Sequence, residues 1–214
     1  MSFSLSTFCF HNSITHIMDT YRTLKHPGEG IYKEKMSKFL SFAHPVESAS
    51  EAKEIVKKYQ KEYFDARHVC WAYMIGAART EFMSNDNGEP SGTAGKPILG
   101  QINSFGLTNV VIVVVRYFGG IKLGTSGLIV AYREAAAEAI RSSEIVECHE
   151  QAYVEFTFPY IVMNDVMKLV KAGDVEIVGQ VFDNSCQMRL ATRADNAAAL
   201  RSRLDDIEGV TFCC

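Results

Sequence analysis

The residues best able to do chemistry in this chain lie between Gly88 and Gly127, in the segments GEPSGTAGKP, VVVRYFGG and KLGTSG. The first extends backward as SNDNGEPSGTAGKP, residues 84–97. Around Gly92, Thr93 and Gly95 the backbone N–H groups would stand open, and glycine lets a ligand approach the main chain closely. Lys96 places a cation where the next helix should begin, which makes an anion site. A rigid surface turn explains the same composition equally well. A Walker P-loop does not, because its spacing needs Gly at 90 and Ser or Thr at 97, where this chain has Pro90 and Pro97.

Arg116 ends a run of β-branched residues, where a guanidinium is costly unless it is paired or at an open strand mouth. Asp86 or Glu89 is its simplest partner, in a structural ion pair; as a functional group it would clamp phosphate. Tyr117 and Phe118 are either stacking platforms for bases or part of the core. In the third segment Gly119, Gly120, Lys122 and Gly124 lead into a helix that Thr125 or Ser126 would cap, and its first-turn amides would also suit an anion. His68 and Cys70 share one face of a strand. Neighbours on one face are too parallel for a nucleophilic pair, so a buried histidine with an acidic partner is expected. No catalytic residue, cofactor or metal site is assigned: the six cysteines form no CxxC pair and have no zinc-spaced histidines.

Several elements must position these segments. Residues 35–46 read as a strand with Met36, Leu40 and Phe42 on one face. Ser48 and Glu51 have capping-box spacing, followed by a helical stripe of Ala52, Ile55, Val56, Tyr59 and Tyr63. His68–Ile75 reads as an inner strand. After a loop at 84–96, a helix runs from Pro97 toward Gly106, burying Ile98, Leu99, Ile102 and Phe105. Val110–Val115 is a central strand buried on both faces. A helix from Ser126 to Arg141 turns Leu128, Tyr132, Ala135, Ala136 and Ala139 inward. From about Glu147 the pattern is strand, helix, strand, strand, helix, strand, the split-βαβ order.

Composition narrows the partners. Among 214 residues the formal net charge is −3, so total charge gives no argument for nonspecific nucleic-acid binding. Residues 1–148 hold 16 Lys and Arg against 15 Asp and Glu, and residues 149–214 hold 6 against 10, so a polyanion would contact the first part. No apolar run reaches the roughly 18 residues of a membrane span. Residues 1–17 make a poor signal peptide and read as an extension ahead of Met18. A cytoplasmic address with reduced thiols is expected.

Together, DARHVCWAY (65–73), NDNGEPSGTAGKP (85–97) and VVIVVVRYFGGIKLG (110–124) resemble the YigZ/IMPACT family, from about Met18 to the C-terminus. Many bacterial members carry a His-His doublet where this chain has His68-Val69, which argues against a two-histidine metal or acid–base scheme. The resemblance implies an α+β fold in two domains. Residues 18–146 would resemble domain IV of elongation factor G, a shape shared with a ribosomal-protein domain. Residues 147–214 would be ferredoxin-like, similar to domain V of that factor. Eukaryotic members act in translational control with an additional recognition domain that is not seen in this sequence. The implied function is a nonenzymatic RNA- or ribosome-binding factor, with the C-terminal domain serving homo-oligomers or a protein partner. The alternative is an enzyme or small-molecule binder that holds a phosphate-bearing ligand at the glycine-rich loops.

Overall fold

The structure is a computed structural model that describes residues 20–183 and 185–212. The extension expected at 1–17, Cys9 and the pair Cys213–Cys214 lie outside the described residues. Eleven strands and five α-helices follow one another among those described. They are β1 (Thr20–Leu24), β2 (Gly28–Glu34), β3 (Ser37–Pro45), α1 (Ala49–Glu62), β4 (His68–Ile75), β5 (Glu81–Asn85), α2 (Gly95–Ser104), β6 (Val110–Tyr117) and α3 (Gly124–Arg141). Then come β7 (Ile145–His149), β8 (Gln151–Phe158), α4 (Met163–Ala172), β9 (Val175–Phe182), β10 (Cys186–Arg193), α5 (Ala194–Asp205) and β11 (Thr211–Phe212).

The first sheet has the order β2-β3-β6-β4-β5, and each neighbouring pair is antiparallel. Its central strand carries the β-branched run, and Val110 to Val115 are fully buried. Alternate side chains serve two cores. Val111, Val113 and Val115 join Phe42, Val69, Trp71 and Tyr73 under α1. Val110, Ile112 and Val114 join Phe39, Cys70, Ala72 and Met74 under α2 and α3. The expected inward stripe of α3 is buried throughout, from Leu128 to Ala139. Ser48 caps α1 as its spacing indicates, accepting from the Glu51 N–H at 3.2 Å.

The strand expected at 35–46 is present as β3, shorter at its start, and forms the second arm of a hairpin. Lys35 and Met36 form its two-residue turn at φ 44° and 68°, and Met36 is 80% exposed rather than aligned with Leu40 and Phe42. Mirror-image turns of this kind match strand twist, which is why the chain accepts two left-handed residues there. Strand β5 occupies the start of the segment expected to be loop from 84, and β1 pairs with β7 across the length of the first unit.

The C-terminal sheet has the order β11-β8-β10-β9, all antiparallel, with α4 and α5 on one face. This realises the βαββαβ pattern read from the sequence. Val166, Leu169, Val170, Leu200 and Leu204 pack over Phe156, Phe158, Met188 and Leu190. Among the described residues no helix is long and apolar enough to cross a membrane.

Helix α3 lies very close to β2, which is why that strand carries glycines and that helix alanines. A Cβ on Gly28 would stand 2.2 Å from the Ala139 carbonyl oxygen. Gly28→Ala is therefore expected to cost about 1–3 kcal/mol through overpacking. Urea denaturation checks this: the midpoint should fall while the slope stays constant.

Candidate functional site

The loop between β5 and α2 is organised by Asp86. Its carboxylate accepts from the N–H groups of Gly92 at 2.8 Å, Ala94 at 3.0 Å and Gly95 at 2.8 Å. Burial alone would raise this acid. The N–H groups of Gly92, Gly95 and Ala94, with the Lys96 charge beyond them, outweigh it and hold the carboxyl below the ordinary aspartate value of 3.8. The amides expected to receive an external anion are therefore satisfied by the protein's own carboxylate. Buried Thr93 turns its hydroxyl inward, donating to the Pro90 carbonyl at 2.6 Å, and Lys96 is exposed.

The same loop drives Glu89 into the protein, where it is 8% exposed. Its Oε1 accepts from Arg116 Nη1 at 2.5 Å and from the Tyr132 hydroxyl at 2.9 Å. Of the two partners the sequence offered Arg116, the structure selects Glu89. Arg116 is 5% exposed, and its guanidinium carbon stands 5.5 Å from the ring centroids of both Phe39 and Phe118. Among the described residues its Nε has no hydrogen-bond partner.

His68 completes this group as the sequence indicates, with Nε2 3.9 Å from Glu89 Oε1. Its Nδ1 lies 2.8 Å from the Asn87 carbonyl, which can only accept, so Nδ1 carries a proton and Nε2 faces the carboxylate. Cys70 is fully buried, and its thiol donates to the Asp86 carbonyl at 2.9 Å. Burial pushes that thiol up to about 12, so it is no nucleophile at neutral pH. Burial, with Cys70 and Glu89 beside it, also raises Tyr132, which keeps its hydroxyl a neutral donor. Among the described residues no cluster of three or more His, Cys, Asp and Glu side chains is arranged to hold a metal ion.

Past β6 the chain makes a second glycine-rich turn. Gly119 meets the hairpin turn so closely that a Cβ would stand 2.0 Å from the Met36 carbonyl carbon, and its N–H donates to Ser37 Oγ at 3.3 Å. Gly124, at φ 73°, opens α3. The sequence assigned a cap to Thr125 or Ser126. Neither serves: the capping position is Leu123, with no side-chain hydrogen bond, because α3 starts earlier than its polar residues. Thr125 and Ser126 are exposed instead.

This uncapped helix end bounds a cleft of about 390 Å³. Arg67, His68, Glu89, Arg116 and Lys122 provide its polar lining; Pro90, Phe118, Leu123 and Leu128 provide its apolar wall. Phe118 is 47% exposed there, whereas Tyr117 packs against the α1 core and donates from its hydroxyl to Asp65 at 3.0 Å. Of the residues singled out in the sequence, the cleft gathers His68, Glu89, Arg116, Phe118, Lys122, Gly124 and Thr125. It leaves out Asp86, Gly92, Thr93, Gly95, Lys96, Tyr117, Gly119, Gly120 and Ser126. Sequence reading missed Arg67, which precedes the inner strand by one residue. It also missed the polar task of Tyr132, signalled by a lone hydroxyl in an Ala- and Leu-rich stripe that needed a partner.

Fold and site together define an α+β protein with one glycine loop closed on its own carboxylate and a second opening on a cationic cleft. Residues 35–140 match the Impact N-terminal domain. The chain is 32% identical over 176 residues to the IMPACT family member YigZ of Escherichia coli, covering 80% of this chain and 85% of that protein. It is 40% identical over 131 residues to the IMPACT family member YvyE of Bacillus subtilis, an alignment that spans 61% of this chain and 60% of that protein. A solved structure described as a hypothetical protein covers 92% of this chain and 98% of its own at 28% identity and a TM-score of 0.72. This chain belongs to the IMPACT family, as its three motifs indicate.

Two outcomes follow from the buried charges. Glu89→Leu strands Arg116 without a carboxylate and is expected to cost about 3–5 kcal/mol, while the double substitution with Arg116→Met costs less than the single one. Chemical denaturation of the three proteins checks this. The depressed Asp86 acid adds stability at pH above its ordinary value, and that stability is lost as pH falls through the depressed one. The stability gap between the unsubstituted protein and Asp86→Asn should therefore close on acidification below about pH 4, as followed by thermal melts across pH.

Proposed function

We propose that this protein is a nonenzymatic RNA-binding factor of the cytoplasm, linked to translation, that engages its partner at the cleft beside α3. One observation carries the reading: Arg67 and Lys122 line the cleft with the uncapped helix end, and Glu89, the one carboxylate in the lining among the described residues, is already engaged by Arg116. A cationic surface next to open backbone amides and an exposed aromatic ring suits a single-stranded backbone with accessible bases. Family membership supports the translational setting, and the elongation-factor-like domain shapes that the family resemblance implies favour the ribosome or its RNA as partner. Residues 18–146 would carry RNA contact, and residues 147–214 would serve homo-oligomers or a protein partner.

A second reading rests on the concavity of the site. A cleft of about 390 Å³ falls in the size range of small-ligand pockets, so a phosphate-bearing metabolite also suits it.

Affinity for a single-stranded RNA, measured across a salt series, separates the two. RNA binding should weaken steeply with salt, and Arg67→Ala or Lys122→Ala should each reduce the logarithmic salt slope by about 1. Absence of RNA or ribosome association even at low salt would sink the RNA reading.

A further inference from the structure

The chain contains two glycine-rich turns that each run into a helix, and they differ in one respect. At α2 the turn amides are filled by the Asp86 carboxylate. At α3, a helix of 18 residues, the capping position is Leu123 and no side chain among the described residues bonds to the first turn. A helix start leaves four N–H groups without intrahelical partners and carries partial positive charge, so an unfilled one at a cleft favours an anion. A second feature points the same way. Arg116, 95% buried by its 5% exposure, lines this cleft, and its Nε has no hydrogen-bond partner among the described residues.

The remaining wall limits what accompanies the anion. Pro90, Phe118, Leu123 and Leu128 are apolar, and the Phe118 ring keeps nearly half its surface open. A sugar phosphate or inorganic anion makes no use of such a wall, whereas a flat heteroaromatic base stacks on it. We infer that the cleft seats one nucleoside 5′-phosphate, with the phosphate at the α3 N-terminus beside Lys122 and the base against Phe118. The site would take that group either from a free mononucleotide or from one residue of an RNA strand. The inference rests on the cleft's being an anion site, as proposed above, and not on the ligand's being RNA.

Calorimetric titration of the full chain with AMP, UMP, ribose 5-phosphate, inorganic phosphate and a short single-stranded RNA tests this. Phe118→Ala and Lys122→Ala alter exposed residues, and thermal melts confirm that both variants are folded. AMP or UMP should bind about tenfold more tightly than ribose 5-phosphate, a difference that Phe118→Ala erases. Lys122→Ala should weaken every phosphate ligand. Mononucleotides that bind no better than inorganic phosphate, or not at all, would overturn the inference. So would RNA binding that both substitutions leave intact, an outcome that keeps the RNA reading and removes this cleft from it. Mononucleotide binding with no tighter binding of the strand would uphold the inference and end the RNA reading.

Discussion

One buried carboxylate ties the first unit of this protein together. Glu89 arrives on a loop, meets Arg116 from the central strand β6, Tyr132 from α3, and stands close to His68 from β4. Removing two charges from water is expensive, and the arrangement is tolerable only because the carboxylate takes hydrogen bonds from two donors while aromatic rings flank the guanidinium. The interaction therefore fixes geometry more than it adds stability. It sets where the loop enters, how α3 lies over the sheet, and which wall of the cleft carries charge.

The two glycine-rich turns take different roles because of what fills them. The Asp86 carboxylate makes the first a closed unit whose amides are used internally, and its positive helix end is neutralised at the same time. The second is shaped by close approach to the Lys35–Met36 hairpin and by the left-handed Gly124, so its glycines serve backbone geometry. Its helix start is left without a side-chain cap. The second turn therefore borders the cleft with an uncapped helix start, while the first contributes only Glu89 and Pro90 to its lining.

Much of this frame was legible in the residues. The β-branched run of β6, the inward stripe of α3 and the βαββαβ order each follow from a short local period, which sequence displays directly. The strands β1, β2 and β5 were not legible, because they sit at sheet edges or in a two-stranded ribbon and much of their surface is exposed. Strand β2 does alternate in burial, but its inward positions include Gly28 and Gly30, which give no hydrophobic signal, and β1 finds β7 more than a hundred residues away. At the site, the pairing of Arg116 was narrowed to two carboxylates, and only the three-dimensional path of the loop decides between them. That path also decides the role of Asp86. A carboxylate folding back onto amides six to nine residues later has no signature beyond small residues and glycine. Arg67 and Lys122 line the same cleft from segments far apart in sequence, so their proximity was visible only in the fold.

The central claim is that the anion site lies at the start of α3 and that the α2 turn is closed. Backbone amide resonances of the full chain, recorded while a nucleoside 5′-monophosphate is added, test it most directly. An anion at the α3 start shifts the amides of Gly124, Thr125 and Ser126 in a saturable manner while those of Gly92, Ala94 and Gly95 stay in place. Shifts confined to the Gly92–Gly95 amides, or no saturable shift at the α3 start, would contradict it.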